Sequence, residues 1–343
     1  MINRNCSVFS FLISILVYLI PMKGIAQMEP FYHVTPMAIE GYFTKTIFPF
    51  NPTFMKANRV KNITLKSREN GIFNSYTFNS NGLLNSISMV RYDKEKKDTV
   101  FYTTYCYLAN GLLAKEARID YHSGIIKIKV YSYDEKNRIE NISIFSLNAQ
   151  MPNQVQNNNW IGEPVAGVAQ LILKGSWPDE NLLNNLIREN KFSSWRYRYY
   201  TENKFEVEER TEFFDFMKNG DSQDTCYQKI TYYHLNNHPI AQFLHFGCAA
   251  KTIPSEQYEF KEGLLFAIHE IDTDIASKGE KYSYDKNRNL LSMQNIRNGQ
   301  KVSELIMEYN KKGFLTTIQR KSETAKMSQY FEDRIFDLSY TFY

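Results

Sequence analysis

Tyr282-Ser-Tyr-Asp-Lys-Asn-Arg-Asn-Leu-Leu-Ser-Met293 is the stretch on which the reading of this chain turns. Side chains alternate across a pleated strand, so Tyr282 and Tyr284 share one face of an extended segment. Asp285 can accept from its own backbone two residues on, which starts a turn. The apolar Leu290 then opens a return strand. The stretch reads as strand, tight turn, strand.

The chain repeats this pattern. Copies aligned on the first aromatic begin at Tyr76, Tyr105, Tyr131, Tyr258 and Met307, with weaker ones at Tyr197 and Tyr232. Consecutive starts lie 29 and 26 residues apart in the front block (Tyr76, Tyr105, Tyr131) and 24 and 25 apart at the back (Tyr258, Tyr282, Met307). A fixed period in that range marks a repeat architecture. Each turn needs a residue at positive φ, and glycine or asparagine supplies it at small steric cost. Gly82, Gly111, Asn137, Gly263, Asn287 and Gly313 are expected in that role. Asp93–Asp98, His122-Ser-Gly124, Ser277-Lys-Gly279 and Arg297-Asn-Gly-Gln300 read as the turns between copies.

The sequence therefore predicts an all-β fold, an antiparallel meander of β-hairpin repeats with one inserted helix. Leu84 and Ile87, or Leu290 and Met293, are apolar yet three apart, which should put them on opposite faces. Either a bulge intervenes or both faces are covered, so a curled sheet, a sandwich and a partly closed barrel all fit.

These copies resemble the YD (tyrosine–aspartate) repeats of the RHS family of secreted and cell-surface proteins, whose motif is roughly Tyr-x-Tyr-Asp-x-x-Gly-x-Leu. The resemblance is good at Tyr131–Ile139 and Tyr282–Leu290 and looser elsewhere, over about two-thirds of the chain after its leader. It implies β-hairpin repeats and an exported protein. The large toxin-enclosing shell of that family needs more copies than are present here.

Residues 1–26 read as a signal peptide: Arg4, an apolar run from Val8 to Ile20, Pro21, and small residues at Gly24 and Ala26, with cleavage before Gln27. The run is short for a bilayer span, which needs about 20 apolar residues. Lys23 beside the cleavage site leaves an uncleaved anchor as the alternative. Cys6 precedes the apolar run and is not placed to carry a lipid. No transmembrane span is expected after cleavage. The protein is then periplasmic, outer-membrane-associated or secreted.

Along the rest of the chain, 27–59 is an irregular lead-in, 60–146 a first repeat block and 196–343 a second. Between them, 147–195 is an insertion with an Asn- and Gln-rich loop, a strand at Val168–Lys174 and a helix from Pro178 to about Asn190. That helix is expected to cover a sheet face or edge.

The formal net charge is +4, and loss of Arg4 and Lys23 with the leader leaves 39 basic against 37 acidic side chains. Nucleic-acid binding needs a concentrated basic surface, and none is expected here. The 24 tyrosines recur at the repeat period and read as cross-strand packing. A sugar- or peptide-binding platform is the functional alternative.

Cys226 and Cys248 each lie eleven residues from Asn237, the centre of a hairpin, so an antiparallel register would oppose them at disulfide distance. Cys106 is then a buried free thiol. His234, His238 and His245 are spread too far along strands to gather one ion, so no metal is expected, and no cofactor. The acidic runs Glu270, Asp272, Asp274 and Glu206–Glu212 read as solvated strand faces. No nucleophile elbow, zinc helix, phosphate loop or dinucleotide fingerprint appears, so the chain is not expected to be an enzyme.

The sequence reading is an exported YD-like repeat protein, a binding or structural component of the bacterial envelope or exterior, with an unidentified protein or glycan partner. The alternative is an outer-membrane β-barrel, and behind it a hydrolase. A barrel would place Lys127 and Lys129 in its lumen and Ile126, Ile128 and Val130 on its outer face. A lipid-facing band would have to stay apolar in every strand, and most strands fail that count.

Overall fold

The computed structural model describes residues 50–68, 71–93, 96–148, 163–179, 181–182, 191–214, 227–235, 238–246, 251–271, 278–322 and 334–343. The signal peptide and most of the lead-in lie outside these residues.

Eighteen antiparallel strands form one sheet. They are β1 (Val60–Ser67), β2 (Ile72–Phe78), β3 (Leu84–Asp93), β4 (Lys96–Tyr107), β5 (Leu113–Asp120) and β6 (Ile125–Tyr133). Next come β7 (Ile139–Asn148), β8 (Lys191–Glu202), β9 (Phe205–Phe214), β10 (Tyr227–Leu235), β11 (His238–Phe246) and β12 (Lys251–Lys261). The last six are β13 (Leu264–Glu270), β14 (Lys278–Tyr284), β15 (Leu290–Arg297), β16 (Gln300–Tyr309), β17 (Leu315–Ser322) and β18 (Arg334–Phe342). Each strand pairs with the next in sequence, as in β2 with β3 or β8 with β9. β1 also pairs with β18, Leu65 opposite Leu338, and the sheet closes on itself. The meander is thus a complete barrel with no free edge, more closed than the curled sheet or sandwich that the sequence also allowed. The two repeat blocks are arcs of one wall.

A recurrent five-residue turn builds one rim. Asp285 Oδ1 accepts from the N–H groups of Asn287 and Asn289 at 2.8 and 2.9 Å, and Asp134, Asn79 and Asn310 do the same in their copies. The positive φ falls three residues after the Asp or Asn at Gly82 (77°), Asn137 (61°) and Gly313 (84°), and three after Leu108 at Gly111 (86°). In the Asp285 turn it falls on Arg288 (68°), not on Asn287. The sequence expectation was one residue out there, because an arginine occupies the place that asparagine was expected to fill. Gly263 (74°) belongs instead to a two-residue turn with Glu262 (52°). Gly279, read as a turn, lies within β14 opposite His269. A Cβ there would sit 2.2 Å from the Ile268 carbonyl oxygen, so close backbone approach explains the glycine.

A bulge follows each five-residue turn and resolves the face conflict. Thr77 pairs with Ser86 but Phe78 with Leu84, leaving Asn85 extra; Ser283 pairs with Ser292 but Tyr284 with Leu290, leaving Leu291 extra. Leu84 and Ile87, like Leu290 and Met293, then face the same way, and all four are buried. The second tyrosine of a repeat ties neighbouring hairpins together. Tyr107, Tyr133 and Tyr284 donate to the carbonyl oxygens of Leu84, Leu113 and Leu265 at 2.6, 2.7 and 2.9 Å.

The apolar residues face inward. Ile63, Tyr76, Ile87, Tyr105, Ile142, Met293, Leu305 and Ile318 belong to one buried cluster drawn from strands around the wall. Phe50 joins it edge-on to Tyr76 and Phe78. So do Phe54 and Met55 of a short helix, α1 (Pro52–Ala57), capped by Asn51 and seated on the turn at Gly82. Facing them away are Thr64, Lys66, Ser75, Thr77, Ser88, Lys281, Gln294, Glu304 and Asp337, placed outward by the strand registers.

One apolar outer patch lies under a helix. Ala117, Ile119, Ile126, Ile128, Phe145 and Leu147 on β5–β7 lie under Val168, Ala169 and Ile172 of α2 (Glu163–Leu173). The strand expected at Val168–Lys174 is therefore a helix. Its apolar residues at i, i+1 and i+4 fit one helical face, and it closes as Ser176 N donates to Leu171 O and Gly175 N to Ile172 O. The element that covers this face is α2, not the helix expected from Pro178, most of which lies outside the described residues. Of the helix expected from Pro178, the structure describes the start at Asn181–Leu182, with Asp179 accepting from Leu182 N at 2.7 Å.

Candidate functional site: a charged cavity at the open rim

The inward side chains change character along the barrel axis. Near the five-residue turns they are aromatic and aliphatic. Toward the opposite rim, inside β5–β9, they become charged and hydroxylic and line a cavity of about 450 Å³. Strand alternation explains the set. Glu116, Arg118 and Asp120 of β5 pair across with Lys129, Lys127 and Ile125 of β6, and these with Ile144 and Ser146 of β7. Ser193 and Trp195 of β8 and Glu212 of β9 complete the wall.

Several of these groups are committed to the fold. Glu116 accepts from Lys129 Nζ at 3.0 Å and from the Tyr131 hydroxyl at 3.1 Å. Burial, together with the Glu116 carboxylate beside it, holds the Tyr131 phenol far above its ordinary range. The Arg118 guanidinium lies 4.1 Å from the Phe101 ring centroid. Asp120 accepts from the backbone of His122 and Ser123 at 3.1 and 2.9 Å. Partial burial would raise its pKa, but these bonds and Arg118 outweigh that and keep the carboxyl below the usual range.

Others are uncommitted. Among the described residues, no hydrogen bond or ion pair engages the side chains of Lys127, Glu212, Ser146 or Ser193. Trp195 Nε1 is buried without an acceptor, and the Arg210 guanidinium lies 4.5 Å from the indole ring. The cavity thus offers one cation, one anion and two hydroxyls beside the Trp195 ring. Such a set can fix the orientation of a small polar ligand.

The residues singled out by sequence fall elsewhere. Gly82, Gly111, Asn137, Gly263 and Gly313 mark the opposite rim. Cys226 and Cys248 lie outside the described residues, although Gln228 opposite Phe246 and Lys229 opposite His245 have the register assumed for them. Cys106 is a free thiol, half-buried rather than fully buried. His238 stacks on Phe260 at 4.5 Å, while His245 pairs with Lys229 farther along the hairpin.

The acidic run needs correction. Glu208 and Glu212 face inward with Tyr199 and Trp195, while Glu209 faces outward onto Lys229 Nζ at 2.5 Å. Glu208 and Glu209, on opposite faces of β9, are each only 8% exposed, while Glu206 is exposed, so the run is not one solvated face. Glu270 lies opposite Glu256 and Lys278, and Asp272 and Asp274 lie outside the described residues. Sequence reasoning missed Trp195 and Glu212. The available signal was the alternation of Lys127 and Lys129 with isoleucines.

No family model and no curated protein matches the chain. Similar solved structures include a porin-like protein from Bacteroides uniformis, 8% identical, covering 83% of this chain and 97% of that one with a TM-score of 0.29. Another is a TcdB2-TccC3-TEV structure, 10% identical, covering 78% of this chain and 14% of that one with a TM-score of 0.23. At those scores neither likeness carries an argument about this chain's function.

Proposed function

We propose that the protein is an exported, YD-like β-repeat barrel that works in water as a binding component of the bacterial envelope or its exterior. Its ligand is a small polar molecule, a glycan fragment in our reading, held in the cavity beside Trp195. The observation that carries the proposal is the sidedness of the wall. A barrel in lipid turns its apolar residues outward; this one turns them inward. An outward Lys or Arg at mid-membrane costs about 2–4 kcal/mol, and Lys66, Lys281 and Arg196 are all outward and exposed. The outer face of β5–β7 is covered by α2, while Phe205, Tyr233 and Phe243 form a separate aromatic cluster on the outer face of β9–β11.

The Asp- or Asn-centred turns after paired aromatics fit the Tyr-x-Tyr-Asp-x-x-Gly-x-Leu motif on which the YD resemblance rests. For the cavity, an indole face suits the apolar face of a sugar ring, while Glu212, Lys127 and the serines suit its hydroxyls and charged substituents.

The outer-membrane barrel remains the second reading, and ring closure favours it: an even number of antiparallel strands with no edge is how chains span membranes by strands. No helix among the described residues is long and apolar enough to cross one, which does not bear on a barrel. Fractionation of cells expressing the full chain separates the two. The proposal expects the protein in the soluble fraction, or released from membranes by a high-salt wash. Retention through salt and alkaline washes until detergent is added would favour the second reading.

A further inference from the structure

The rim opposite the cavity carries a sector that the binding reading does not use. Three adjacent pieces of chain meet there: the Asp285–Asn289 turn, the Asn310–Phe314 turn, and α1 with the ends of β1 and β18. The second and third pieces are in direct contact. Phe314 packs on Phe54, Tyr340 and Phe342 at 5.2, 5.1 and 5.8 Å, and Tyr343 N donates to Arg59 O at 2.9 Å.

This sector is basic. Lys56, Arg59, Lys286, Arg288, Lys311 and Lys312 are all exposed, and none has an acidic side-chain partner among the described residues. Of the nearby acids, Asp285 is held by the N–H groups of its own turn, and Glu308 and Glu262, the latter on the turn that the Arg288 guanidinium reaches, are exposed. Around the same rim, the Asp134 turn carries its own compensation in the Arg138–Asp134 pair at 2.6 Å, with Glu135 and Glu140 alongside.

The sector is also apolar at its surface. Phe342 is 52% exposed, Tyr343 49% and Leu291 37%, an uncommon cost for side chains that a fold could bury. Lys61 Nζ sits 5.8 Å from the Tyr343 ring centroid, so cation and aromatic are interleaved.

Exposed aromatics among unpaired lysines and arginines match the chemistry of one partner, a bilayer surface bearing anionic headgroups. The rings enter the interfacial layer while the cations meet phosphate. We infer that this sector docks the barrel peripherally on an anionic membrane surface, leaving the charged cavity facing away from the lipid. The inference is independent of the cavity ligand and compatible with a polar wall, because only the rim touches lipid.

The test is co-sedimentation of the mature chain with vesicles of phosphatidylcholine alone, or of phosphatidylcholine with phosphatidylglycerol, at low and high salt. Binding is expected only to the anionic vesicles, and release at high salt. The triple variant Lys286→Gln, Lys311→Gln, Lys312→Gln should lower the partition coefficient on the order of a hundredfold, given the attraction each surface cation contributes. Phe342→Ser should weaken binding without changing its salt dependence. The control Lys204→Gln, Lys136→Gln on the far side of the rim should bind as the parent does. Thermal melts confirm that each variant is folded. Equal binding to neutral vesicles, no binding to either, loss in the control equal to that in the triple variant, or self-association through the sector without vesicle binding would each overturn the inference.

Discussion

Tyr133 and Tyr284 differ from phenylalanine by one oxygen, and that oxygen reaches a main-chain carbonyl one hairpin away. The bond lies in a partly buried layer where water competes poorly, so each is worth about 1 kcal/mol. Tyr133→Phe and Tyr284→Phe should each lower stability by roughly that amount in urea titrations, with no change in secondary structure. Arg288 offers the opposite sign. A non-glycine residue at positive φ costs about 1–2 kcal/mol, so Arg288→Gly should stabilise the chain by roughly 1 kcal/mol. Asn287→Gly, at an ordinary φ, should not. At Gly82 the geometry leaves no such freedom: a Cβ would meet Pro52 O at 2.2 Å and Lys56 N at 2.6 Å. The position of α1 therefore depends on that hydrogen.

At the scale of elements, α2 and the β5–β7 face explain each other. Ile126, Ile128 and Val130 alternate with Lys127 and Lys129, a pattern that fixes opposite faces but not which one meets water. The helix decides it, burying Ile126 and Ile128 completely. Ile172→Asp should uncover this patch, cost about 3 kcal/mol or more, and raise binding of an apolar dye before global unfolding. The helix was misread as a strand because Val168-Ala-Gln-Leu-Ile-Leu173 is a short apolar run, which periodicity assigns poorly. The hairpins were legible for the opposite reason: aromatic alternation and Asx turns are local and repeat. For β10 and β11, Gln228 opposite Phe246 has the register that the expected disulfide assumes, two residues short of Cys226 and Cys248, which lie outside the described residues. Peptide mass mapping of the unreduced secreted protein should find Cys226 joined to Cys248, with Cys106 alkylatable.

For the whole molecule, closure is the property that local sequence could not announce. It depends on β18 meeting β1, where Arg68 and Asp337 pair at 2.6 Å across ends of the chain far apart in sequence. Turn chemistry and alternation specify each hairpin; the number of hairpins and their bulges specify the ring. The cavity draws on more than one hairpin too, since Trp195 and Glu212 face each other across β8 and β9 while Lys127 comes from β6, and they have no shared motif. The distribution of polarity across the wall then bears on where the barrel resides. Its most direct test is cysteine labelling at neighbouring positions, in a chain whose native cysteines are replaced by serine, using a charged maleimide that does not cross lipid. Inward Ile87→Cys and Met293→Cys should stay unreacted until the protein unfolds, while outward Ser88→Cys and Gln294→Cys should react quickly without detergent, whether in solution or in a membrane fraction. Protection of Ser88→Cys and Gln294→Cys in membranes, lifted only by detergent, would place lipid against this wall and contradict the account.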